Sequence, residues 1–239
     1  MIHYSSSEPA SIQKLFNEIA SNYDRTNDIV SFSLYRHWNK ALAKRVLQNR
    51  PQKLLDLCSG TGAITYCILQ ESKLKNKPAP EVFLVDFSQN MLQIAQHKCF
   101  SFHSPLHYVE ADALNLPFDD HLFDSISCGY GLRNIQDTEK ALLEAYRVCA
   151  PGGSFCILEL TRPKGFFFPF LHQFYLSHIV PKIGKWLSHD EAAYQWLKTS
   201  IDSFISPENF ILMSKKIGWQ TIAVKPLLRG IATIIELRR

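Results

Sequence analysis

Apolar positions recur along this chain with two different periods, and the switch between them marks out its elements. Ile12, Leu15, Phe16 and Ile19 share one helical stripe, which predicts a helix over residues 11–20. Tyr23-Asp24-Arg25-Thr26-Asn27-Asp28 interrupts the pattern with turn-forming side chains. Leu34, Trp38, Leu42 and Val46 restore a helical period over residues 32–47. From Leu54 onward, short apolar runs alternate with helical patterns. Strands are expected at 54–57, 81–87, 106–110, 123–128 and 154–160, and helices from 63, over 91–98 and over 138–149. Ser88 is placed to cap the second of these helices. Residues 73–80 read as a polar, proline-containing connection, and Pro151-Gly152-Gly153 as a turn. Alternation at this rate predicts right-handed βαβ units and a mostly parallel sheet with helices on both faces. Two helices ahead of the first strand would form either a lid over the sheet's mouth or a cover for its edge.

After the fifth strand the pattern becomes aromatic. Phe166-Phe167-Phe168-Pro169-Phe170 opens a segment reaching Leu187, interrupted by His172, Gln173, His178, Lys182 and Lys185, in which Pro169 and Pro181 are expected to kink or break a helix. Packing into the core is the default for such a stripe; a pocket wall or a membrane surface is the alternative. Two helices follow over 191–203 and 207–216, the latter with Ser206 as N-cap and Pro207 at its first position. Residues 219–224 and 230–237 read as a closing antiparallel pair.

The chemistry concentrates after the first strand, in Leu54-Leu55-Asp56-Leu57-Cys58-Ser59-Gly60-Thr61-Gly62. An apolar strand feeding glycines lets backbone approach a ligand where a Cβ would collide; a plain strand-to-helix bend is the other reading. Thr65 stands where a dinucleotide fingerprint has its third glycine, which permits close helix–strand packing beneath a pyrophosphate. The reading shifts toward an adenosine ligand without pyrophosphate, such as S-adenosylmethionine. Asp86 ends the second strand, 24 residues beyond Gly62, where a carboxylate accepts from both ribose hydroxyls or simply starts a helix. Asp112 and Ala113 follow the third strand, facing an adenine amino group or only solvent. Asp56 suits the positive methionine end of such a ligand. After strand four, Arg133 and Asn134 sit in a glycine-flanked loop, either solvated or orienting a polar substrate. Glu159 ends strand five, where burial would raise its pKa toward that of a base.

Composition narrows the field. A net charge of +4 with no run of like charges argues against nucleic acid. Six cysteines without a Cys-x-x-Cys pair argue for reduced thiols in a cytoplasmic compartment, and no zinc or other metal spacing appears. The polar first residues, with Glu8, do not read as a signal peptide, and no apolar run reaches the roughly 18 residues a spanning helix needs.

Several motifs are more specific. Tyr23-Asp24-x-x-Asn27-x-x-Val30-Ser31 with Trp38, Gly131-Leu132-Arg133-Asn134, Arg147-Val148-x-x-Pro151-Gly152-Gly153 and Tyr194-Gln195-x-Leu197-x-x-Ser200-Ile201 together resemble the UbiE/MenG family of quinone-biosynthesis C-methyltransferases. The resemblance spans nearly the whole chain. It implies a Rossmann-like class I methyltransferase in one domain, with a seven-stranded sheet, a helical lid over residues 1–50, a cofactor-binding half over 51–162 and substrate-side elements over 163–239. It implies S-adenosylmethionine as cofactor, bound by Gly60, Thr61, Gly62, Asp86, Asp112, Ala113 and Asp56. It implies ring methylation of demethylmenaquinol, with Arg133, Asn134, Tyr23, Asp24 or Glu159 orienting the acceptor and moving its proton. A benzoquinol, another phenol or a catalytically silent cofactor-binding regulator are the alternatives. A prenylated quinol as partner brings a peripheral membrane contact, and a homodimer is compatible with the family. Tyr35 departs from the family's His, Thr26 from its Met, Ala63 from its acidic residue, Ala150 from its Lys and Gly129 from its hydroxyl residue.

Overall fold

The computed structural model describes residues 9–187 and 191–239; the first residues, with Glu8, lie outside them. Seven strands form one sheet: β1 (Lys53–Leu57), β2 (Glu81–Asp86), β3 (Leu106–Glu110), β4 (Phe123–Gly129), β5 (Cys149–Leu160), β6 (Gln220–Leu227) and β7 (Ala232–Arg238). Their order is β3-β2-β1-β4-β5-β7-β6, parallel except for β7, which runs antiparallel to both β5 and β6. The order reverses between β1 and β4, so a crevice opens beyond their carboxyl ends.

Strand alternation sorts the core into two layers. Leu55 and Leu57 face α6 (Thr138–Val148) and α10 (Pro207–Ile217), with Phe123, Phe155 and Phe210 filling that layer. Leu54, Val82 and Leu84 face the other way, onto α3 (Leu34–Gln48), α4 (Ala63–Leu74) and α5 (Gln89–Cys99). Helices therefore cover both faces, as the near-continuous apolar strands require. The Ser88 and Ser206 caps form as expected, accepting from Met91 N at 3.2 Å and Asn209 N at 3.3 Å.

Four expectations need correction. The turn-forming run after the first helix, α1 (Pro9–Ile19), is itself helical: a 3₁₀ turn at Ala20–Asn22 leads into α2 (Tyr23–Val30). Asp24 suits the positive end of that helix, and Tyr175 Oη donates to Val30 O at 2.8 Å at its other end. Pro151-Gly152-Gly153 belongs to β5 as well as turning the chain, because Gly152 and Gly153 pair with the Arg239 backbone. The aromatic segment continues as a helix through both prolines, from α7 (Phe168–Phe174) through a π turn at Tyr175–Ile179 into α8 (Val180–Leu187). Pro169 sits in the first turn of α7, where no donor is needed. The π turn widens the helix just before Pro181, which has no N–H to give. Nor does the aromatic stripe pack inward: Leu176 and Val180 are buried, whereas Phe166, Phe167, Phe170 and Phe174 are exposed. α9 (Glu191–Ser203) packs against α8. Among the described residues no helix is long and apolar enough to cross a membrane.

Trp219, between α10 and β6, is the largest fully buried side chain. Its ring meets Tyr146 edge-on at 5.2 Å, and its indole donates to Leu142 O at 3.3 Å. Trp219→Ala is expected to cost about 3–5 kcal/mol by emptying that layer, read as a shift in the urea midpoint at unchanged m-value.

Candidate active site

The first βα turn rises from β1 into the crevice. Gly60 is left-handed (φ +53°), and a Cβ there would meet nothing within 4 Å, so its backbone faces open space. Gly62 (φ +71°) is glycine for another reason: a Cβ would lie 2.9 Å from Ala95 Cβ, in the contact with α5. Around the turn lies a cavity of about 560 Å³. Gly60, Thr61, Asp86, Asp112, Ala113, Tyr23 and Asn134 line it, together with Ile12, Gln13 and Phe16 of α1 and Tyr35 of α3.

Four sequence-predicted residues stand elsewhere. Gly62 packs against α5 as described. Asp56 is fully buried beneath the turn, where it accepts from Thr65 N (3.2 Å), Thr65 Oγ1 (2.6 Å) and Ser127 Oγ (2.8 Å). It ties β1, β4 and the start of α4 together and does not reach the cavity wall. Arg133 and Glu159 form a buried ion pair behind the wall at 2.9 Å. Glu159 also accepts from Arg133 N and Leu160 N, so three donors hold its carboxylate inside the ion pair, and a role as proton acceptor gains no support. Arg133 also donates to Tyr130 O, which fixes its guanidinium in place.

Electrostatics distinguish this cavity. Among the described residues its wall carries the carboxylates of Asp86, Glu110 and Asp112 and no Lys or Arg. Burial pushes Asp86 up to about 6, even though the N–H groups of Ser88 (2.9 Å) and Gly60 (2.8 Å) favour its charged form. Burial likewise raises Asp56 to about 6 against its three donors. Tyr23 is raised by burial and pulled back by the charge of Arg133, while burial holds Tyr35 well above the usual phenol range. Such a wall suits a ligand carrying positive charge and repels a pyrophosphate. Ser59 Oγ, on the turn, is buried with no hydrogen-bond partner among the described residues, an orphan group that a bound ligand can satisfy.

Several residues of the site escaped sequence reasoning. Lys98 on α5 donates to Thr61 Oγ1 at 2.8 Å and pairs with Asp24, whose carboxylate also accepts from Thr61 at 2.8 Å; this joins α2 to the glycine turn. Asn17 of α1 accepts from Ser88 Oγ at 2.6 Å, and Gln13 donates to Phe87 O at 2.5 Å, joining α1 to the end of β2. Trp196 Nε1 donates to Asn134 Oδ1 at 3.0 Å, while Asn134 Nδ2 donates to Tyr130 O, so the Asn134 amide is fixed at both ends. Trp196 occupies an open position inside the Tyr194-to-Ile201 motif, which was its only signal. Tyr35 stacks on Tyr130 with centroids 5.4 Å apart.

Residues 4–236 match the family model described as the ubiE/COQ5 methyltransferase family. The chain belongs to that family. Among curated members, the demethylmenaquinone methyltransferase of Protochlamydia amoebophila is 44% identical over 98% of this chain and 97% of its own length. The enzyme of the same name from Staphylococcus carnosus is 34% identical over 95% and 92%. Among solved structures, the N-methyltransferase NodS of Bradyrhizobium japonicum, in complex with S-adenosyl-L-homocysteine, superposes with a TM-score of 0.64 at 14% identity, over 95% of this chain and 97% of that one. The architecture of this family member is accordingly the Rossmann-like class I methyltransferase fold.

Asp56→Ala should lower stability by about 2–4 kcal/mol, because two hydroxyls and an amide lose a buried acceptor at once. Chemical denaturation measures it, and a change under 1 kcal/mol would remove Asp56 as the tie beneath the turn.

Proposed function

We propose that the protein transfers a methyl group from S-adenosylmethionine to a ring carbon of demethylmenaquinol, giving menaquinol. The observation that carries this reading is the carboxylate-lined cavity at the switch point, in a chain whose curated relatives bear that activity in their names. S-adenosylmethionine supplies, when bound, an electrophilic methyl group on a sulfonium that leaves as a neutral thioether, so no Lewis acid is required.

The chain's residues would divide the work. Asp86, held by Gly60 N and Ser88 N, keeps lone pairs for the ribose hydroxyls. Asp112 and Ala113 lie on the adenine side. Gly60, Thr61 and the orphan Ser59 hydroxyl flank the methionine portion. Asn134, fixed by Trp196, presents a rigid amide edge to the acceptor. Arg133, locked to Glu159, braces the loop that carries Asn134; burial raises Tyr23, and the Arg133 charge offsets only part of that rise. Tyr23, on the cavity wall beside Asp24, is the residue placed to pass the ring proton outward. The helices α1 and α2 act as the lid, fastened through Asn17, Gln13 and Asp24, and exclude water from the transfer. The whole chain then works as one methyltransferase domain. A prenylated acceptor resides in a bilayer, so the cytoplasmic enzyme must meet the membrane at least transiently.

Turnover of the purified protein on demethylmenaquinol and on the matching benzoquinol tests the reading. Methylated naphthoquinol is the expected product. Preference for the benzoquinol would move the protein to the ubiquinone pathway, and cofactor binding without transfer to any quinol would make it a silent binder.

Asp86 gives a separate prediction. Only its ionised form accepts from both ribose hydroxyls, so cofactor affinity should fall as pH drops through about 6. Asp86→Ala should cost about 2 kcal/mol or more at pH 8 and flatten that dependence; calorimetric titration reads both.

A further inference from the structure

One apolar surface is left without a partner. On the helix built from α7, the π turn and α8, Leu176 and Val180 pack inward with Tyr194 and Ile201. The opposite face carries Phe167, Phe170, Leu171 and Phe174, spaced one helical turn apart, with Phe167 67% and Phe170 71% exposed. Phe166 precedes them, wholly exposed. Phe32, 75% exposed, joins the same side of the molecule, its ring 5.8 Å from that of Tyr175. Soluble surfaces seldom gather aromatic side chains this densely without a use for them.

Three observations select the occupant. From Thr161 to His189 the sequence holds Arg162, Lys164, Lys182 and Lys185 and no Asp or Glu. Lys164 is paired with Glu208 and Arg229 lies over the Phe168 ring, while Arg162 and Lys182 make no ion pair among the described residues. The nearby carboxylates, Glu208 and Asp202 (the latter beside Gln173), are paired with Lys164 and Lys198, which leaves Arg162 and Lys182 as excess positive charge beside the aromatic centre. Second, the turn between α2 and α3 holds Phe32 outward through two consecutive left-handed residues that are not glycine, Phe32 (φ +50°) and Ser33 (φ +62°). Third, Tyr35, three residues beyond Phe32, lines the cavity. The exposed face and the cavity wall thus meet across a single short turn.

We propose that the Phe166–Phe174 face, with Phe32, is the surface through which the protein lies on an anionic lipid bilayer, its cavity mouth turned toward the acyl layer. Aromatic rings enter the headgroup boundary, and Arg162 and Lys182 meet the anionic headgroups. The biological partner rests on the quinol-methylation reading; the surface itself does not.

Flotation with vesicles of equal parts phosphatidylcholine and phosphatidylglycerol tests it, comparing wild type with Phe166→Ser/Phe167→Ser/Phe170→Ser. The triple variant should bind about tenfold or more weakly, and added salt should weaken wild-type binding. In parallel, both proteins are assayed on a soluble demethylnaphthoquinol without a prenyl tail and on demethylmenaquinol held in the same vesicles. The variant should match wild type on the soluble acceptor and lose activity only on the vesicle-held one. Equal flotation of the two proteins, or no flotation of wild type, overturns the proposal. So does a wild-type dimer that the triple substitution dissociates, since a second copy would then cover the face. Wild type that floats but methylates neither acceptor retires the quinol reading and leaves the bilayer surface standing.

Discussion

A negative charge buried under a glycine turn is the constraint on which the rest of this molecule depends. Asp56 sits at the end of a central strand with no solvent, and burial alone would favour its neutral form. Three donors offset that cost: a backbone N–H in the first turn of α4, the Thr65 hydroxyl and the Ser127 hydroxyl. Two of these charge-assisted bonds hold α4 and the third holds β4, so the carboxylate sets where β1, β4 and α4 converge. Asp86 repeats the device one strand away, holding Gly60 N and Ser88 N and thereby the rim on which a ligand rests. Because Asp86 alone of the two lines the cavity, one acid is left for structure and the other is free to bind.

This division explains what the sequence could and could not disclose. Strand and helix periods, the Ser88 and Ser206 caps and the antiparallel closing pair were legible because each is a local consequence of local residues. The acidic strand ends were legible as a set, yet nothing in one dimension tells a carboxylate facing inward from one facing a ligand. Asp56 and Asp86 lie on the same side of the sheet, but Asp56 pairs level with Leu84, two residues deeper than Asp86, and strand register decides that depth. Glu159 misled for the same reason: the end of a strand is a good place for a base, but here Arg133 returns along its own loop to claim it. Lys98 and Asn17 were invisible, as their partners lie 37 and 71 residues away.

The aromatic segment taught the opposite lesson. Prolines are expected to kink or break it, and a π turn just ahead of the second one widens the helix without ending it. Its apolar stripe was expected inside because an isolated amphipathic pattern cannot say which face meets the core. Both faces of this helix are apolar, so burying one leaves the other outside. Only the positions of Leu176 and Val180 reveal which. An exposed stripe of this kind costs solubility. The two left-handed residues that hold Phe32 beside it add backbone strain to that cost.

The departures from the family pattern fit the same physical account. At Gly129, which lacks the family's hydroxyl, a Cβ would lie 2.7 Å from Ile64 Cγ1. A serine could not be added there without moving Ile64, so apolar bulk from α4 has taken the place of the hydroxyl. Tyr35, in place of His, fills its side of the cavity by stacking on Tyr130. Ala63 removes a carboxylate from the wall, yet Asp86, Glu110 and Asp112 keep it anionic. These residues make the wall apolar on the α3–α4 side and leave the carboxylate rim intact. An apolar side gives an aromatic ring a surface to pack on, and the carboxylates supply the negative charge that favours a sulfonium.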